Sequence, residues 1–310
     1  VRRCGFRNRG WRAFDMHRIE ENWAGGESPV PFGVVPDVPA DEAWRAKVTR
    51  FRSGGYEVSA GFVDRERARE RWERTQGFGV PCRKRAQGDE PDPDSVRRAR
   101  QRAATRVRHL AKNLGVSHLL TLSTRQRANT REEMLGYWAR FLRLYERVSG
   151  DRLAFIAVLE RHPSNREHLH LHAAVTSFLP VNRLRRLWYI ALGGTGGERG
   201  TDTPGGVHMR QFRSKEAGRR ASRIARYIAK YMTKDTAEEF NKKRFSASRG
   251  ASEGLEVDSM WLAARGHGEA MYELATLFGL DLMPENFWPA PSGRRIWAQV
   301  VAGSHDPPPF

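Results

Sequence analysis

Between positions 168 and 172 the chain alternates strictly, His168-Leu169-His170-Leu171-His172, and then runs into Ala173-Ala174-Val175. Alternation with period two predicts a strand, with the three histidines on one face and Leu169 and Leu171 on the other. Upstream, the near-continuous apolar run from Leu153 to Glu160 predicts a central strand, and Pro163 and Asn165 mark a turn back into the histidine strand. The resulting antiparallel hairpin brings Glu160 towards the start of that strand. His118 to Thr124 predicts a further strand. Thr130 caps a helix whose Leu135, Trp138, Phe141, Leu142 and Tyr145 fall at helical spacing, with Glu132 and Glu133 in its first turn. Pro180 to Leu192 predicts a second helix, Val207 to Phe212 a strand, and Lys215 to about Thr233 a long helix.

Outside this region the pattern weakens. Residues 1–94 are rich in Arg, Gly and Pro and read as an irregular or accessory region, with a charged helix at Asp64–Arg74 and a linker at 89–94 that leads into a helix cap at Asp94 or Ser95. Residues 95–250 hold the periodic elements. Residues 251–310 read as a small extension of short helices and a strand, ending in a Pro-Pro-Pro-Phe tail.

Charge narrows the function. The net charge is +18, and Arg supplies 46 of the 54 basic residues, which points to a polyanionic partner. The helix predicted from Val96 to Asn113 carries Arg97, Arg98 and Arg102 where they could follow a phosphate backbone. No apolar run approaches the roughly 18 residues of a membrane span, and no signal peptide is indicated, so a cytoplasmic protein is expected. Cys4 and Cys82 form no metal-ligand spacing. The Gly193–Gly206 stretch lacks the spacing of a phosphate cradle, and no Walker-type sequence for a built-in helicase is present.

Two patterns carry candidate chemistry. Same-face strand neighbours stand about 7 Å apart, so paired imidazoles can converge on one divalent ion. Near the end of the long helix, Tyr227 and Tyr231 are four residues apart and share a face, and Lys230 and Lys234 follow each by three. Residues 211–249 hold twelve Lys and Arg, Arg226 among them, against four acids. A phenol with a pKa of about 10 is a weak nucleophile at neutral pH. A metal that withdraws charge from a phosphate, cations that favour the phenolate and a fixed attacking oxygen would each make it competent.

Three ordered signatures resemble the HUH superfamily of single-strand DNA endonucleases, in particular the two-tyrosine rolling-circle replication initiators of plasmids and phages. They are Leu119-Leu120-Thr121-Leu122-Ser123, His170-Leu171-His172, and Tyr227-x-x-Lys230-Tyr231-x-x-Lys234. The resemblance implies an α+β fold with a central antiparallel sheet flanked by helices. It implies Mg2+ or Mn2+ held by His170, His172 and Glu160, with His168 an extra or replacement ligand. It also implies Tyr231, alternating with Tyr227, as the nucleophile that takes a 5′-phosphate and releases a 3′-OH. Single-stranded or hairpin origin DNA would be the substrate, with a host helicase and DNA polymerase as partners. Lys242, Lys243, Arg244 and Arg249 resemble the basic stretch that follows the tyrosine helix in these initiators and would contact DNA. Thr121 is expected to support packing.

Three other readings compete. His168 to Ala174 also fits the signature of histidine-triad nucleotide hydrolases, with His170 as nucleophile, but that leaves the tyrosines and the charge without a role. A two-tyrosine single-strand DNA transposase would keep the chemistry in another setting. A non-catalytic DNA-binding protein would use only the basic surface.

Overall fold

The computed structural model describes residues 42–64, 92–125, 130–161, 168–212, 217–234, 245–279, 287–290 and 292–301. The chain begins with strands β1 (Glu42–Arg50) and β2 (Gly55–Asp64) and helix α1 (Pro93–Leu114). Then come β3 (His118–Thr124), α2 (Arg131–Ser149), β4 (Phe155–Arg161), β5 (Leu169–Val175), α3 (Val181–Ala191) and β6 (Gly205–Gln211). Helix α4 (Ala217–Ala229), the single turn α5 (Tyr231–Lys234) and strand β7 (Phe245–Ala247) follow. Strand β8 (Glu256–Leu262), helix α6 (His267–Phe278), and strands β9 (Phe287–Pro289) and β10 (Arg295–Val301) complete the described elements. No described helix is long and apolar enough to cross a membrane.

The fold is α+β, built on two antiparallel five-stranded sheets. The histidine strand β5 lies at the centre of one, ordered β6-β3-β5-β4-β7. A central strand must cover both faces, and alternation divides the work. Leu169, Leu171, Ala173 and Val175 join Leu120 and Leu122 of β3 under α2 and α3, where Trp138, Phe141, Leu184 and Trp188 close the core. Trp138 stacks on Phe141 with centroids 5.3 Å apart. The opposite face carries Ile156, Val158 and Ala174 beneath Val107, Leu110 and Ala111 of α1 and Ile224, Ala225 and Ile228 of α4. The histidines point to this second face, the same one on which the tyrosine-bearing helix packs.

Local signals explain the helix ends. Thr130 and Glu133 form a reciprocal capping box at α2, as its sequence predicts. Helix α1 starts earlier than the expected cap at Asp94 or Ser95. The Asp92 carboxylate accepts from the backbone N–H groups of Asp94 and Ser95, and Pro93, lacking an N–H, occupies the first turn where none is needed. The long helix expected over Lys215–Thr233 is interrupted. Lys230 N donates to Arg226 O at a stretched 3.3 Å, after which Tyr231 and Met232 are both buried against the sheet.

The second sheet, ordered β8-β1-β2-β10-β9, draws strands from both sides of the region that holds the histidines and tyrosines. Its strands β1 and β2 lie in a stretch that composition reads as irregular, because Arg45 and Lys47 alternate with Trp44, Ala46 and Val48 and hide a half-buried pattern behind charge. Trp44, Ala46, Val48, Val58, Ala60, Leu262, Ile296 and Ala298 pack under α6. Residues 251–310, expected as short helices and a strand, contribute one described helix and three strands.

Helix α1 connects the two sheets. Its apolar side lies on the histidine sheet, while Arg108, His109 and Lys112 all meet the carboxylate of Glu57 on β2. Lys112 also donates to Gln299 on β10, and the Trp297 indole N–H donates to Glu57 at 3.3 Å. Burial alone would raise the Glu57 carboxyl, but the His109 hydrogen bond and the Lys112 and Arg108 charges hold it well below the ordinary carboxylate range.

Candidate active site

Cross-strand register decides which side chains meet. Thr121 of β3 and Val158 of β4 flank His172, and Ser123 and Glu160 flank His170 one step along the sheet. Directly paired residues point to the same face, so all six look towards α4 and α5. The Glu160 carboxylate reaches diagonally past its register partner. His172 donates from Nε2 to Glu160 Oε2 at 2.9 Å, and Thr121 Oγ1 lies 3.0 Å from His172 Nδ1. A carboxylate can only accept, so Nε2–H donates to it here, while Nδ1 and the Thr121 hydroxyl share the second hydrogen bond. Thr121, expected only to support packing, therefore orients His172.

The tyrosines arrive from above. The ring of Tyr231 lies parallel to that of His172, with centroids 4.6 Å apart and 3° between planes. Tyr227 meets Tyr231 edge-on at 5.4 Å. Tyr231 is 3% exposed and Tyr227 half-buried. Burial, then hydrogen bonding with Tyr227 and the charge of Glu160, pushes the Tyr231 phenol well above the ordinary tyrosine value. This balance runs opposite to a phenolate favoured by lysines. The Lys230 ammonium lies over the Tyr227 ring at 4.2 Å and over the Tyr231 ring at 5.4 Å, where it faces π-electrons. The side chain of Lys234 lies outside the described residues.

The other expected ligands divide. His168 donates from Nε2 to the Thr124 carbonyl at 2.8 Å, which commits that nitrogen to the backbone of β3. His170 lies half-buried between its neighbours, its ring centroid 5.0 Å from His168 and 6.2 Å from His172. Among the described residues no group of three or more His, Cys, Asp or Glu is already gathered as a metal centre. The donor chemistry nonetheless fits a hard divalent ion: an imidazole and a carboxylate 2.9 Å apart match the edge, about 3 Å, of an octahedron with metal bonds of about 2.1 Å. His170 is the further donor of matching type on that face.

Much of the expected DNA surface is exposed. Arg219, Arg223 and Arg226 of α4 and Lys230 just past its end recur at helical spacing along one exposed side that ends at the tyrosines. Arg97, Arg98 and Arg102 of α1 and Arg249 beyond β7 are exposed, and Arg97 and Arg98 also pair with Asp94 and Asp92 near the start of α1. Lys242, Lys243 and Arg244 lie outside the described residues. His208 of edge strand β6 carries no motif in the sequence, yet register places it beside Thr121 on the site face. At Gly205, a Cβ would collide with the Ser123 carbonyl that accepts from the Trp188 indole.

A replication-protein family covers this unit. Residues 117–236 match the family of replication-associated protein ORF2. The match runs from just before β3 to just past α5 and takes in Thr121, Glu160, His170, His172, Tyr227 and Tyr231. It supports a replication initiator family and a role in replication initiation. No curated protein and no solved structure matches the chain.

Proposed function

We propose that this protein is a metal-dependent DNA strand-nicking and rejoining enzyme of the HUH type that initiates rolling-circle replication of a plasmid or phage. The observation that carries the reading is the meeting of Tyr231 with His172 and Glu160, a phenol from one helix against an imidazole and a carboxylate from two neighbouring strands. Glu160, His170 and His172 would hold Mg2+ or Mn2+, which when bound supplies Lewis-acid withdrawal of charge from the scissile phosphate. Thr121 fixes the ring orientation of His172, as hydrogen-bonded neighbours of histidine ligands commonly do.

Tyr231 is the first nucleophile. Its phenolic oxygen forms the bond to phosphorus, the bond from phosphorus to the 3′-oxygen breaks, and the phenolic proton passes to Glu160, to which the hydroxyl is hydrogen-bonded. The 5′-phosphate stays on the tyrosine, and the leaving 3′-oxygen takes up the proton that Glu160 received, so that a 3′-OH is released for a polymerase. Attack by a 3′-OH on that ester reverses the exchange, so the same site rejoins strands. Tyr227, in edge contact with Tyr231, is placed to serve as the second hydroxyl. The stripe from Arg219 of α4 to Lys230 just past it leads the DNA backbone to the tyrosines.

The test is incubation of the protein with labelled single-stranded origin DNA and Mn2+, resolved on a denaturing gel. Wild type is expected to give a covalent adduct, Tyr231→Phe to lose the first-cleavage adduct, and the Tyr227→Phe/Tyr231→Phe double variant to give none. An adduct that survives the double change would overturn the assignment.

A further inference from the structure

The β8-β1-β2-β10-β9 sheet has a second face, turned away from α6. Register assembles it from residues far apart in the chain. Trp261, Arg45, Gly61 and Arg295 form one row across four strands, and Ser259, Lys47, Ser59, Trp297 and Trp288 form the next across five. Arg45, Lys47, Ser59, Ser259, Trp261 and Arg295 are exposed. Neither row contains an Asp or Glu. Arg45 holds its guanidinium over Trp261, 5.7 Å from the ring centroid, and donates to Ser259 Oγ at 3.0 Å. At the far side the Trp297 and Trp288 rings lie 4.4 Å apart. The third row is closed by α1, whose Arg108 and Lys112 cover Trp297 and hold Glu57.

The Trp261 indole stands 42% exposed within a row of cations, an aromatic and basic surface of the kind that unpaired bases and phosphates match. Gly61 supplies an independent observation. A Cβ there would meet only ordinary contacts, 3.9 Å from the Arg294 carbonyl and 4.0 Å from Arg295 Cγ, and its backbone lies outside the left-handed region. Nothing in the strand requires glycine, although glycine weakens a strand interior, and close approach by a ligand is one of the reasons for which strands keep it. With Ser59 beside it, Gly61 keeps the middle of the face flat between tryptophans and basic side chains.

We propose that this face is a second single-stranded nucleic-acid site, on which unpaired DNA bases stack on Trp261 while Arg45, Lys47 and Arg295 hold the backbone. Flat aromatic surfaces suit bases that are already unstacked, and interleaved cations suit the connecting phosphates. A duplex would present only its backbone here. The inference takes from the functional reading that the substrate is single-stranded DNA, and places a holding site apart from the tyrosines.

The experiment measures binding of the full chain to fluorescein-labelled oligo-dT by anisotropy in EDTA, where no metal-dependent cleavage occurs. The Arg45→Ala/Lys47→Ala/Trp261→Ala variant is expected to bind at least about 10-fold more weakly. Its log–log salt slope should fall by about 1.4, for two lost phosphate contacts at roughly 0.7 each on a single strand. Gly61→Val should weaken binding with circular dichroism unchanged and melting temperature unchanged or raised. Unchanged affinity in both face variants overturns the proposal, as does competition by duplex DNA or single-stranded RNA that equals competition by oligo-dT. If no tyrosine adduct forms in Mn2+ yet the face variants lose oligo-dT, the nicking reading fails and this site stands.

Discussion

Glu160 stands opposite His170 in strand register yet places its carboxylate on His172, 2.9 Å from Nε2. This diagonal joins two strands on one polar edge and leaves His170 beside it as a further donor. Glu160→Gln is expected to reduce Mn2+-dependent adduct formation more than any substitution at His168, whose Nε2 is engaged by the Thr124 carbonyl. Mn2+ titrations of adduct yield check the order, and equal losses at both positions would contradict it.

Thr121→Val keeps the shape of the side chain and removes the hydroxyl that orients His172. Metal affinity should fall about 10- to 100-fold, the usual effect of losing a group that orients a histidine ligand, with melting temperature little changed. Thr121→Ser should restore it. A loss of melting temperature that matches the loss of activity would make Thr121 a packing residue after all.

Glu57 is 3% exposed and meets three basic side chains of α1. Glu57→Gln leaves Arg108 and Lys112 without their carboxylate and should cost about 3 to 5 kcal/mol, read by urea unfolding. The folded-state pKa of Glu57 is depressed, so its stabilising contribution is complete above the ordinary carboxylate pKa. It is lost as pH falls below that value towards the depressed one. Wild type should therefore lose stability through this acid range, and Glu57→Gln should show a flatter profile.

Asn113 is buried at the end of α1, accepts from Arg52 N at 2.8 Å, and donates to the Ala251 and Glu253 carbonyls at 3.0 and 2.9 Å. Asn113→Ala strips the partners from one N–H and two carbonyl groups and should cost at least about 1 to 3 kcal/mol. Asn113→Asp should be no better, because it returns an acceptor but no donor. Thermal unfolding of both variants measures this.

The histidine face was legible because alternation at 168–172 survives any detail of packing, and the Thr130 cap because its acceptor and Glu133 are three residues apart. The diagonal from Glu160 to His172 was not, since sequence fixes neither register nor the reach of a carboxylate. Thr121 looked like one polar residue among leucines until pairing set it beside His172. Strands β1 and β2 escaped notice because charged, serine and glycine residues separate their apolar positions, and their partners lie beyond the tyrosine helix. The raised phenol of Tyr231 could not be read from Tyr-x-x-Lys spacing, because burial outweighs cations that sit over ring faces.

The split origin of the second sheet also bears on how the protein is made. Arg50 of β1 meets Asp258 of β8, 208 positions later. At ribosomal rates of about 5 to 20 residues per second, the β1–β2 hairpin must wait roughly 10 to 40 s for its neighbours to emerge. Throughout that interval Trp44, Val48 and Val58 lack their β8 and β10 neighbours and α6. Soluble yield during expression is thus tied to chaperone supply and to translation speed through the middle of the message.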